Sequence, residues 1–171
     1  MEEASWYKKP EMIVALSALL ISVVTTVVGI YSAYIDRAYA RASVWPRLEI
    51  FRSYSDQSFS YGVSNNGTGP AIIKYAAVTY KSKSIKRWDE IPEIPRFTQS
   101  HISQRILPAE KSIQPLIYQG AQNKLFLAID NDIKISLCYC SIYDQCWITD
   151  RSNDPQPVDE CEIEKKQRFQ Q

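Results

Sequence analysis

Cysteine is the residue type whose spacing in this chain invites redox or metal chemistry. The 171 residues hold four: Cys138, Cys140, Cys146 and Cys161. In a strand, successive side chains alternate between faces. Ile133, Ile135, Leu137 and Tyr139 then share one face, while Lys134, Ser136, Cys138 and Cys140 share the other. A short turn at 142–144 would pair Tyr139 with Trp147 and set Cys140 opposite Cys146. Opposed Cβ atoms about 4.5–5.5 Å apart are within reach of a disulfide. Cys138 could then meet Cys161.

Two other uses of these sulfurs stay open. They could be free, half-buried thiols, or ligands of a structural zinc. The spacing C-x-C-x5-C-x14-C departs from the C-x2–4-C pairs of zinc frameworks. A thiolate enzyme built on Cys138, Cys140 or Cys146 needs basic surroundings or a helix N-terminus. On that face only Lys134 offers a charge.

The remaining motifs carry little chemistry. His101 is the sole histidine, so any triad or Cys/His pair would have to use it. It reads as a surface residue, and no catalytic residue is expected. Gly67 and Gly69 in NNGTGPA precede a strand, whereas a phosphate loop must open a helix. Asn66-Gly67-Thr68 fits the glycosylation pattern, a tripeptide frequent by chance. Asp130-Asn131-Asp132 lacks the glycine and distal glutamate of a calcium loop and reads as a turn. No metal and no cofactor is expected. Trp88, in the polar run KRWDE, is the candidate interaction surface, since Trp and Arg concentrate binding energy at interfaces. The alternative is a tryptophan that caps the end of the domain.

The elements that would position these residues begin with residues 12–35, which carry no charge between Glu11 and Asp36. Such a helix, at about 1.5 Å per residue, crosses a hydrocarbon core of about 30 Å. Trp6, Tyr7, Lys8 and Lys9 precede it, and Tyr31, Tyr34, Tyr39, Arg37 and Arg41 follow or close it, as interfacial anchors do. A cleaved signal would have a shorter apolar run, about 7–15 residues. Ala15, Ala18, Ser22, Thr25, Gly29 and Ser32 recur at steps of three and four and form a candidate helix-packing seam. The expected partners are the lipid bilayer and, through this seam, a second copy or another membrane protein.

Sidedness is contested. Arg37, Arg41 and Arg47 beyond the span against Lys8 and Lys9 before it tilt the C-terminal domain toward the cytoplasm. An even cysteine count points instead to an oxidising compartment, the periplasm. The charge rule is given the greater weight here. Twenty basic against nineteen acidic residues give a net charge of +1, which argues against a nucleic-acid partner.

Beyond a short tail (1–11) and the span (12–35), residues 36–45 read as a helical stem that Pro46 ends. From there the period changes to two. Phe59, Tyr61 and Val63 alternate with Ser58, Ser60 and Gly62, and 65–70 is a turn. Residues 71–80, 101–107, 112–118, 125–129, 133–141 and 146–149 complete a set of short segments read as strands. The expectation is an all-β sandwich of about seven strands, immunoglobulin-like, over 46–150. Residues 151–171 read as a polar tail.

The runs VWPRLEI (44–50), SNNGTGPAII (64–73), ILPAEKSIQPL (106–116) and CYCSIYDQCW (138–147) resemble a group of bacterial single-pass membrane proteins without an assigned activity. These carry an N-terminal membrane helix and a small β-rich domain. The resemblance implies a bacterial inner membrane and supplies no active-site residue.

Taken together, the sequence leads to a membrane-anchored, non-enzymatic interaction domain or membrane-complex component. A thiol-dependent redox or hydrolytic enzyme is the first alternative, and an envelope sugar- or lipid-binding module the second. Replacing Ser22 and Gly29 by Leu is expected to abolish self-association in a membrane two-hybrid assay, because close backbone approach would be lost. Undiminished association would remove the seam.

Overall fold

Proline at a first helical turn has no amide hydrogen to waste and a φ already set for helix. The first helix accordingly starts at Pro10 and runs unbroken to Ser43 as α1. The computed structural model describes residues 9–170. It divides into two compact units, parting between Ala42 and Ser43. In α1, Glu11 lies in the first turn and Arg41 in the last, each matching the sign of the helix dipole. Its 34 residues span about 51 Å at the standard rise. Mean hydropathy reaches 2.6 over its most apolar window, and none of that window is buried. The helix is therefore long and apolar enough to cross a membrane. Span and stem are one element, because nothing between Ile35 and Asp36 breaks the helix.

Among the described residues, the second unit holds ten strands in two sheets, arranged like a sandwich and not closed as a barrel. The strands are β1 (Leu48–Ser55), β2 (Ser58–Asn65), β3 (Ala71–Tyr80), β4 (Lys83–Ile85) and β5 (Thr98–Gln99). Then come β6 (Arg105–Leu107), β7 (Ser112–Gln119), β8 (Ile133–Cys140), β9 (Cys146–Asp150) and β10 (Gln156–Val158). The smaller sheet runs β1-β2-β7-β5; the larger runs β10-β9-β8-β3-β4, with β6 also on β3. Every strand pairing among the described residues is antiparallel, and Tyr139 does face Trp147, with Cys140 facing Cys146. The alternating residues of β2 point as their pattern requires: Phe59, Tyr61 and Val63 are buried.

Three sequence expectations are corrected. Ten strands replace seven. One of the extra strands, β4, follows Lys81 and Ser82, both at positive φ (47° and 64°). Consecutive left-handed residues make a type I′ hairpin turn, usually written Asn-Gly, so this turn left no mark in the sequence. Second, residues 125–129 belong to a helix, α2 (Asn123–Ile129), not a strand. Phe126 and Ile129 are buried on one side of it, a spacing of three that a short apolar run hides. Phe126 stacks on Phe59 with ring centres 4.9 Å apart.

Third, residues 151–170 are not a tail. β10 extends the larger sheet, and Phe169 is 1% exposed within the core. It closes a gap in β3. One edge of β3 is paired by β6 at Ala71–Ile73 and by β4 at Val78–Tyr80. Between them, the Phe169 amide donates to the Ala76 carbonyl at 2.9 Å. The Ser103 hydroxyl bridges the same place, taking a bond from the Ala76 amide (3.3 Å) and giving one to the Phe169 carbonyl (3.1 Å). A buried backbone group left unpaired costs free energy, so the segment completes the sheet. Phe169→Ala should cost about 3–5 kcal/mol, read as a lower denaturation midpoint of the full chain in detergent. A change within error would show that the plug carries no stability.

Candidate functional site: a groove walled by a disulfide-pinned segment

A β-bulge decides which residues reach the outer face of the larger sheet. The β3–β8 register shifts between Ile73 and Tyr75. Ile73 and Ala76 therefore both point to the core, while Ile72, Tyr75 and Ala77 point outward. On β8 the unshifted alternation sends Ser136, Cys138 and Cys140 to the same outer face. β9 adds Cys146 and Ile148. The bulge was not visible in the sequence, where Ala71–Tyr80 reads as an uninterrupted strand.

The structure joins Cys138 to Cys161, with Cα atoms 5.7 Å apart, and Cys140 to Cys146, with Cα atoms 4.0 Å apart. The second pair is explained by the hairpin. The neighbouring Ser141 amide bonds the Gln145 carbonyl at 2.8 Å, so Cys140 and Cys146 occupy a non-hydrogen-bonded site, where opposed strands come closest. The first bond pins the segment after β10 across the outer face. It also explains why Cys138 and Cys140 are buried at 0% and 2% exposure although they lie outside the core.

The pinned segment makes one wall of an open groove of about 1140 Å³. Its floor is Ile72, Tyr75, Ala77, Ser136 and Ile148. One wall is Gln104, Arg105 and Ile106; the other is Cys161 through Glu164 with Gln167 and Arg168. Ile106 is 60% exposed. Arg168 is held by a 2.9 Å bond to the Lys74 carbonyl. The groove thus offers a short-chained apolar floor between rims of both charges. It contains no nucleophile–base pair, and that combination suits an extended polypeptide better than a small polar substrate.

A buried electrostatic cluster lies elsewhere, at the carboxylate of Asp130, whose side chain is 3% exposed. Arg151 donates to Asp130 Oδ2 at 2.8 Å and to the Asp130 and Ile133 carbonyls at 2.8 and 2.9 Å. The Tyr61 hydroxyl donates to Oδ1 at 2.6 Å, and Arg52 pairs with Oδ2. Burial alone would raise the Asp130 pKa. The hydrogen bonds from Arg151 and Tyr61 and the charges of Arg151 and Arg52 outweigh it and hold the carboxyl below its ordinary range. Burial and the bond to Asp130 push the Tyr61 phenol well above its ordinary value. Both carboxylate oxygens are hydrogen-bonded, Oδ1 by Tyr61 and Oδ2 by the two arginines, which is the arrangement of a structural clasp.

The other sequence-derived positions are placed as follows. Trp88 is corrected: it is 2% exposed, stacked 5.6 Å from Tyr61 and edge-on 5.0 Å from Phe169. Its polar neighbours hid a core residue, so it presents no interaction surface. His101 is exposed, and its carbonyl accepts a 3.2 Å bond from Arg105. The packing-seam residues lie on α1, where the Ser22 and Thr25 hydroxyls bond back to the Ala18 and Ile21 carbonyls at 2.8 and 2.7 Å. Sequence reasoning missed Asn65, which is fully buried. Its amide bonds the Gly69, Leu107 and Pro108 carbonyls, and its oxygen takes the Arg47 and Gly67 amides.

No family model matches the chain, and no curated protein is similar to it at a significant level. The groove and its disulfides are therefore read on their own chemistry.

A carboxyl whose pKa falls on folding contributes stability above its unfolded value and loses it as pH drops through the folded one. Asp130→Asn should lower the unfolding free energy by about 3 kcal/mol at neutral pH. It should also flatten the loss of stability below the ordinary carboxylate range, measured by denaturant titration across pH. An unchanged acid slope would show that Asp130 is not the group responsible.

Proposed function

We propose that this protein is a membrane-anchored adaptor that holds an extended stretch of a partner protein in the groove over β3, β8 and β9. The observation that carries the reading is the groove itself: an apolar floor of open sheet, fixed on one side by Cys138–Cys161, with Arg105, Arg168, Glu162 and Glu164 on its rims. Extended segments bind such surfaces through apolar side chains on the floor and polar contacts at the edges. No role in catalysis is assigned to it.

In this reading the helix Pro10–Ser43 crosses the bilayer, and the sandwich lies on the side that keeps disulfides oxidised. For a bacterial inner membrane that side is the periplasm. The placement reverses the weight given to Arg37, Arg41 and Arg47, because long domains translocate with little regard to flanking charge. A homo-oligomer through the α1 seam is compatible with this reading and is not required by it.

A photo-crosslinking amino acid at Ile106 tests the groove. Irradiated membranes should give one discrete crosslinked product, and Ala77→Arg, which fills the floor, should reduce its yield severalfold. The same probe at Lys83, on the exposed β4, should give none. Equal products from both positions, or no effect of Ala77→Arg, would remove the groove as the binding surface.

A further inference from the structure

The two disulfides are not independent of each other. Cys140 and Cys161, which belong to different bonds, have their sulfurs 3.7 Å apart. Since both are already oxidised, this is van der Waals contact between two divalent sulfurs. The sulfurs of Cys140, Cys146 and Cys161 all lie within 4.8 Å of one another, and Cys138 is bonded to the third. Disulfides exchange when a thiolate attacks a sulfur of another disulfide, so contact between bonds sets the route.

We propose that Cys138, Cys140, Cys146 and Cys161 form a thiol–disulfide exchange site that accepts one electron pair from a dithiol and resolves to a single Cys140–Cys161 bond. This inference rests on the cysteine geometry and not on the partner-binding reading of the groove.

The chemistry balances by either entry. In the first, one thiolate of the dithiol attacks the sulfur of Cys161, a half-buried residue that lines the groove. Cys138 leaves with its bonding pair and takes a proton. The second thiol of the reductant then closes on the first, so the dithiol leaves as a disulfide and Cys161 as thiolate. That thiolate attacks Cys140, and Cys146 leaves with the pair and a proton. In the second entry the dithiol reduces Cys140–Cys146, and the Cys140 thiolate attacks Cys161 and expels Cys138. Both routes consume one dithiol and end with Cys140–Cys161 bonded and Cys138 and Cys146 as thiols.

The surroundings of the two leaving sulfurs favour this end point. Cys138 is 0% exposed, out of reach of an external thiol or disulfide once it has left the bond. Cys146 has the Asp144 carbonyl 3.6 Å from its sulfur, an acceptor in place for the new thiol. A pair of electrons delivered at the groove wall thereby emerges at the β8–β9 hairpin.

The full chain in detergent micelles, treated with less than one equivalent of dithiothreitol, quenched in acid, alkylated and peptide-mapped by mass spectrometry, tests the proposal. The major one-bond species should carry the Cys140–Cys161 link with Cys138 and Cys146 alkylated. Species that retain either original bond, with the other pair alkylated and no Cys140–Cys161 peptide, would overturn it. The double variant Cys138→Ser with Cys146→Ser gives a second reading. It should form Cys140–Cys161 on air oxidation and leave no thiol reactive toward Ellman's reagent. Two persistent thiols in a variant with the wild-type circular dichroism would count against the exchange, and if the variant does not fold, the wild-type mapping decides alone.

Discussion

A charge that is taken out of water has to be matched atom for atom, and in this fold that demand falls on Asp130. Its carboxylate gathers Arg52 from β1, Tyr61 from β2 and Arg151 from the turn after β9. Those three come from both sheets, so the spacing of the sandwich at this end is set by hydrogen-bond lengths and not by apolar packing alone. The aromatic stack continues from there: Tyr61 on Trp88, and Trp88 against Phe169. Removing the carboxylate would leave two guanidinium groups facing each other in a half-buried site. Buried ion clusters contribute modestly to net stability, but they punish alternative arrangements severely.

Much of the architecture was legible because periodicity survives without tertiary context. The uncharged run of 12–35, the alternation in β2 and the β8–β9 register that sets Cys140 against Cys146 all follow from side-chain direction. The reading failed where direction is set by backbone irregularity or by distant chain. The bulge in β3 inverts the facing of half a strand and lies among ordinary β-formers. The Lys81–Ser82 turn uses residues that do not advertise positive φ. In α2 the two buried apolar residues, Phe126 and Ile129, are too few to show a helical period.

The groove was the least legible part, and for a physical reason. Its floor residues, Ile72, Tyr75, Ala77, Ser136 and Ile148, come from three strands and are unremarkable in type. Only the wall made by residues 161–168 turns them into a cavity, and that wall exists because Cys161 is bonded to Cys138. The region read as polar and trailing is polar on its outer side alone. Phe169 and Cys161 are eight positions apart in a run of charges, too sparse to register as a pattern. Trp88 failed in the opposite sense: its charged neighbours masked a core position.

The closure of β3 by Phe169 has a consequence for synthesis. The amide that satisfies Ala76 belongs to a residue made last among the described core positions, and the guanidinium that reaches Lys74 is 94 residues away from it in sequence. A chain emerging N-terminus first can pair β1 with β2 early, since that hairpin is local. The larger sheet has an open edge until translation has passed residue 169. During that interval the unfilled stretch of β3 between β6 and β4 is a template for other strands.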